Sequence, residues 1–170
     1  MGATIVVSST IPAPIEDVWA IWNAPERIPE WIPAVKSVRR VGPVAEGVGA
    51  ELEFTARNGF RTISYRTRIS EWEEARRVRS DIVPGSGSGT WTGLLERQTT
   101  EWLFTPANGG TKITAIQEMK LKGPADLLSA PWMRLFDRQL YRRAFHNLAR
   151  LAAADKAETN PRRKHGNIPL

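Results

Sequence analysis

The sequence predicts an α+β fold in which a curved, seven-stranded antiparallel β-sheet wraps one long C-terminal α-helix, with two short helices between strands 1 and 2. Three observations predict it. Period-two alternation dominates from Val35 to Leu121, a 3.6-residue apolar period follows Gly123-Pro124, and the chain before Val35 reads as one strand and two Pro-initiated helices. The 170 residues suit a single domain. We place it at residues 1–155, with a polar, disordered tail expected over 156–170.

Each element has its own signal. Thr4-Ile-Val-Val-Ser-Ser is rich in β-branched residues and stops at Ile11-Pro-Ala-Pro. Pro14 suits the first turn of a helix, Glu16 and Asp17 favour its positive end, and Ile15, Val18, Trp19 and Trp22 share a face. Pro25 opens a second short helix that ends near Trp31-Ile-Pro. Six further strands are predicted over 35–41, 50–57, 60–72, 76–83, 90–104 and 111–121. Asn58-Gly59 marks a two-residue hairpin, because both central positions of that turn need φ > 0. The last helix runs from about 125 or 131 to 154, with Trp132, Phe136, Leu140, Ala144, Leu148 and Leu151 in one stripe.

Composition removes several classes of function. Hydrophobic residues are 41% and charged residues 25%, a globular balance. Without cysteine there is neither a disulfide framework nor thiol chemistry. Neither a secretory leader nor a run of about 18 apolar residues is visible, so cytoplasmic residence without a transmembrane segment is expected. The net charge of +6 is spread over separate elements, as at Arg39-Arg40, Arg76-Arg77 and Arg142-Arg143, so nucleic acid is not expected as a partner.

The common catalytic signatures are missing too. Only His146 and His165 occur, neither with a second ligand at helical spacing, so no metal is expected. Gly85-Ser-Gly-Ser-Gly lacks the Lys of a phosphate-binding loop, and there is no dinucleotide fingerprint or nucleophile elbow, so no cofactor is expected. A curved sheet closed by one helix instead leaves space between them, and such space is where small molecules bind.

Four segments carry a family resemblance. Ile11-Pro-Ala-Pro-Ile-Glu-Asp-Val-Trp, Pro29-Glu-Trp-Ile-Pro-Ala-Val, Gly47-Val-Gly and Trp102-Leu-Phe-Thr-Pro-Ala-Asn-Gly-Gly-Thr-Lys-Ile-Thr together resemble the SRPBCC superfamily over residues 4–154. That superfamily includes START-related lipid carriers, aromatic polyketide cyclases and dehydrases, and pathogenesis-related plant allergens. The resemblance implies the helix-grip fold. It also implies binding or carrying of a small hydrophobic molecule such as a lipid, isoprenoid, quinone or polyketide, or alternatively a polyketide cyclase or dehydrase. Related proteins place the cavity entrance near Trp31 and Trp132. Aromatic cyclases of the superfamily use a pocket tyrosine, whose place here is taken near Val35, and an arginine, near Arg66 and Arg68.

Alternation supplies further ligand contacts. Ile63, Tyr65, Thr67 and Ile69 form one face of their strand, and Ile113, Ala115, Gln117, Met119 and Leu121 one face of the last. Tyr65 and Gln117 are therefore polar groups among apolar neighbours and the leading polar contacts. Trp102 shares a face with Thr100 and Phe104, while Phe136 and Leu140 lie on the stripe of the last helix. For an enzyme, Tyr65 and Glu101 are the candidate catalytic residues. Glu101 qualifies if it faces inward, where burial raises a carboxyl pKa toward neutrality.

Overall fold

The computed structural model describes residues 2–88 and 93–159, without the side chains of Asn58, residues 125–130, Trp132 and Met133. The expectations on Thr90, Trp91, Trp132, His165 and the tail over 160–170 lie outside the described residues. Strand β1 (Ala3–Ile11) buries Ala3, Ile5 and Val7 and ends before Pro12. Helix α1 (Ile15–Trp22), a 3₁₀ turn (Pro25–Arg27) and the single-turn helix α2 (Ile28–Trp31) follow. The meander is β2 (Val35–Val41), β3 (Glu51–Asn58), β4 (Arg61–Glu73), β5 (Arg77–Ile82), β6 (Leu95–Ala107) and β7 (Gly110–Leu121), and α3 (Ala125–Thr159) closes the chain.

All seven strands join one antiparallel sheet in the order β1-β7-β6-β5-β4-β3-β2. The two short helices carry the chain from one edge to the other, so β1 pairs with the last strand rather than the second. Register shifts at Val35/Ser37, Ile69/Glu71 and Leu95/Arg97 interrupt the ladders, and such bulges bend and twist a sheet. A two-residue hairpin is present one residue later than expected: Asn58 ends β3 opposite Arg61, and Gly59-Phe60 form the turn, with Gly59 at φ +61°. Ser86 and Ser88 in the glycine-rich connection accept hydrogen bonds from the backbone N–H groups of Arg66 and Ser64, which fastens that loop along β4.

Tryptophan fills the centre of the core. Trp19 stacks on Trp22 at 5.1 Å and meets Trp72 and Phe104 edge-on. Trp22 and Trp31 each meet Trp102, at 5.9 and 5.7 Å. The C-terminal half of α3 closes this cluster with Ala144, Phe145, Leu148 and Ala152, packing across β1, α1 and α2.

Two features of α3 differ from the expectation. The buried face runs through Tyr141, Ala144, Phe145, Leu148 and Ala152, while Leu140 and Leu151 are half-buried and Phe136 is 66% exposed. Successive steps of four advance about 40° beyond a full turn, so a stripe drawn as 132-136-140-144-148 drifts off the buried face at its N-terminal end. The helix also continues to Thr159, where polarity alone suggested an end near 154. Arg27 holds this last stretch by a two-pronged pair with Asp155, Nη1 to Oδ2 at 2.6 Å and Nη2 to Oδ1 at 3.2 Å. Among the described residues no helix is long and apolar enough to cross a membrane.

Candidate functional site

The C-terminal half of α3 lies on the core, but its N-terminal half stands away from strands β3 and β4. The gap between them is a cavity of about 510 Å³. Ala56 and Arg57 of β3, Ile63, Tyr65 and Thr67 of β4, Ile32 just after α2, and Val35 at the start of β2 line one side. Gln98, Thr100 and Trp102 of β6 with Gln117 and Met119 of β7 form its floor, and Phe136, Asp137, Leu140 and Tyr141 of α3 its roof. The lining is mainly apolar and aromatic, with polar groups gathered where β6, β7 and α3 meet.

That polar end is a directed hydrogen-bond chain. The Tyr141 hydroxyl donates to Gln117 Oε1 at 2.6 Å, and the Gln117 Nε2 amide faces Asp137 Oδ2 at 3.4 Å. Gln117 thus satisfies its buried amide within the protein and uses it to orient two other groups.

Burial dominates the electrostatics. The Asp137 carboxyl is pushed up to about 6 by loss of water. The Tyr65 phenol is pushed up to about 12, first by burial and then by the Asp137 charge. Tyr141 moves further in the same direction for the same two reasons and through its neighbour Tyr65, with the hydrogen bond from Thr100 opposing. Asp137 is therefore a carboxyl able to exchange a proton near neutral pH, facing two phenols that remain protonated.

The expected residues separate clearly. Tyr65, Gln117, Trp102, Phe136 and Leu140 all border the cavity. Phe136 does so from the rim and Trp102 from a largely buried wall. Trp31 does not border it: its ring is buried against Trp102, beneath α3, and among the described residues its Nε1 has no hydrogen-bond partner. The side chain of Trp132 is outside the described residues.

Glu101 does not meet the condition set for it. Trp102 turns inward, so its neighbour points to the opposite face, where Glu101 pairs with the Arg77 guanidinium. Arg66 and Arg68 are on the outer face as well, paired with Glu51, so neither reaches the cavity. Val35 lines it at the position where the resemblance implied a tyrosine. We expect Glu101→Gln to leave ligand affinity unchanged within about twofold, as suits a charge on the outer face. A titration of variant and parent against one ligand checks this, and a tenfold loss would return Glu101 to the site.

Asp137 and Tyr141 are the residues that the sequence reading missed. His146 is exposed and lines a separate surface depression of α3 with Arg138, Arg142, Arg143 and Pro33. Among the described residues no group of His, Asp or Glu is placed to hold a metal ion.

Fold and cavity together define a helix-grip protein with an internal binding site. The chain belongs to the family described as polyketide cyclase / dehydrase and lipid transport, whose sequence profile matches residues 2–153. No match to a curated protein was found. Among solved structures, a protein of Thermus thermophilus is 18% identical, with a TM-score of 0.73, covering 91% of this chain and 99% of that one. The Zhui aromatase/cyclase of Streptomyces is 11% identical with a TM-score of 0.73, covering 99% and 100%. Ara h 8.0201 is 22% identical with a TM-score of 0.69, covering 91% and 99%. At these identities the likenesses establish the fold.

Proposed function

We propose that this chain binds a small, predominantly apolar molecule in the cavity beneath the N-terminal half of α3, and carries or stores it there. The observation that supports this most is the cavity itself, about 510 Å³ of space walled by aliphatic and aromatic side chains with one polar end. A site of that size and lining encloses most of the surface of a small ligand, and the polar end orients it. Tyr65, Gln117, Trp102, Phe136 and Leu140 are its contacts in this reading, joined by Asp137 and Tyr141. Many surface arginines are neutralised locally by carboxylates, as in Arg39–Glu53 and Arg68–Glu51, which supports a small molecule rather than nucleic acid as the partner. Cytoplasmic residence, and a ligand-binding unit over residues 1–155, belong to the same reading.

Binding of an apolar fluorophore tests it. One dye per chain is expected, with energy transfer from Trp102 in the wall. Ala56→Phe, which adds a ring to that wall, is expected to weaken binding by about tenfold, roughly 1.4 kcal/mol. No dye uptake by the folded protein, or uptake indifferent to Ala56→Phe, would sink the cavity as the binding site.

Asp137 favours a second reading, a cyclase or dehydrase acting on a polyketide chain in the same cavity. A carboxyl poised near neutral pH beside two phenols is suited to moving protons on a bound chain. Conversion of an added poly-β-keto precursor, lost in Asp137→Asn, would establish it, whereas an apolar ligand returned unchanged by extraction favours the carrier.

A further inference from the structure

We propose that the molecule selected by this cavity is a lipophilic amine, its ammonium seated on the Asp137 carboxylate and its apolar body lying along Trp102, Tyr65 and Leu140. The inference rests on the cavity being a binding site and adds the chemistry of the head group. It starts from the direction of the hydrogen-bond chain. Tyr141 donates to Gln117 and Gln117 to Asp137, so both donors are aimed along the chain and the terminus presented to the cavity is an acceptor.

That acceptor is under-satisfied. A carboxylate has about four lone-pair sites, and the half-buried Asp137 receives one long hydrogen bond from the protein, at 3.4 Å. Among the described residues it has no ion pair. Gln117 faces it from β7, Tyr65 bears on it from β4 and Tyr141 from its own helix, and none of these is a cation. Arg57 lines the cavity from β3 as an exposed side chain, and the upward shift of Asp137 has burial as its cause, with no positive charge opposing it.

Ligand classes fare differently against that terminus. A carbonyl or carboxylate head finds donors on Tyr65, Gln98 and Arg57 of the lining, but set against Asp137 it brings acceptor to acceptor and, for a carboxylate, charge to like charge. A wholly apolar ligand displaces water from the carboxylate without replacing its hydrogen bonds, which is costly for a charge. An ammonium supplies three donors and the missing charge, and the aromatic rings of Trp102, Tyr65 and Tyr141 that line the same cavity offer it cation–π partners. The acid thus selects for an amine, and the aromatic walls select for a lipophilic one.

Calorimetric titration of the wild-type protein with three matched probes tests this: naphthylmethylamine, naphthylmethanol and naphthoate. At about pH 7.5 the amine is expected to bind roughly tenfold or more tighter than the alcohol, with naphthoate weakest. The preference shrinks toward about pH 5, where Asp137 takes up a proton while the amine stays charged. Asp137→Asn removes the preference for the amine over the alcohol and its pH dependence. An amine that binds wild type no better than the alcohol overturns the inference, with no reliance on a variant. So does a preference that survives Asp137→Asn. If none of the three probes and no apolar dye binds, the cavity reading itself fails, which is a different result from loss of the amine preference alone.

Discussion

Replacing Gly110 with alanine is expected to destabilise the fold by about 4 kcal/mol, the upper range for a point substitution. Gly110 opens β7 at the corner where β1 hands over to α1, at φ +153°. A Cβ there would collide with the backbone oxygen of Ile11 and lie 2.9 Å from Cα of Pro12. Neither neighbour can rotate away, because both are backbone. The corner is also fully committed: Ile11 and Thr111 are completely buried, and Thr111 Oγ1 donates to the carbonyl of Ala13 at 2.8 Å. Gly109 is the control. It sits at φ +85° with nothing within 4 Å of its would-be Cβ, so Gly109→Ala carries only the backbone penalty, about 1 kcal/mol. For a domain of this length the first substitution lowers the melting temperature by roughly 10 °C and the second by about 3 °C. Equal losses at the two positions would rule out the Ile11 contact as the cause.

The same corner shows what a linear pattern can and cannot carry. Asn108-Gly-Gly is legible as a turn, but its distinction between a free glycine and an indispensable one comes from β1, about 100 residues earlier in the chain. The strand faces were legible because alternation has only two phases and apolar residues choose between them. That is why Tyr65 and Gln117 could be placed in the interior from the sequence. For Glu101 the phase was set by its neighbour: Trp102, opposite Val78 and Ala115, takes the buried side and sends Glu101 to Arg77. Asp137 and Tyr141 were hidden for another reason. Asp137-Arg138 looks like a solvated pair on a helix, and the sequence does not say that α3 leaves the sheet there. One signal was available, since 137, 141, 145, 148 and 152 follow one helical face with apolar or aromatic residues at the last four positions. A charge at the head of such a face points into whatever that face covers.

Asp137→Asn should stabilise the protein at neutral pH, and the size of the gain follows from where its proton goes. Below the ordinary value of 3.8 the folded and unfolded states both carry the proton, and above about 6 neither does. Between these limits the folded state retains a proton that the unfolded chain has released, so stability falls as pH rises across the interval. At about 1.4 kcal/mol per pH unit the loss is complete above pH 6 and amounts to about 3 kcal/mol. Asparagine keeps the shape, carries no charge, and its Oδ1 can still accept from Gln117. The variant is therefore expected to exceed wild type by about 2–3 kcal/mol at about pH 7.5 and to match it near pH 4. Urea unfolding at both pH values measures this directly. A variant less stable than wild type at pH 7.5, or a difference independent of pH, would mean that the carboxyl is not held in the dry setting described. A group that weakens the native state at neutral pH contributes nothing to folding there, and an apolar residue would fit the same wall at lower cost. Such a cost accords with a task in the bound complex, as the amine proposed above would give it. An amine that pairs with Asp137 reverses the penalty, so bound amine should protect wild type against urea most strongly above pH 6 and protect Asp137→Asn less, in step with the lost preference.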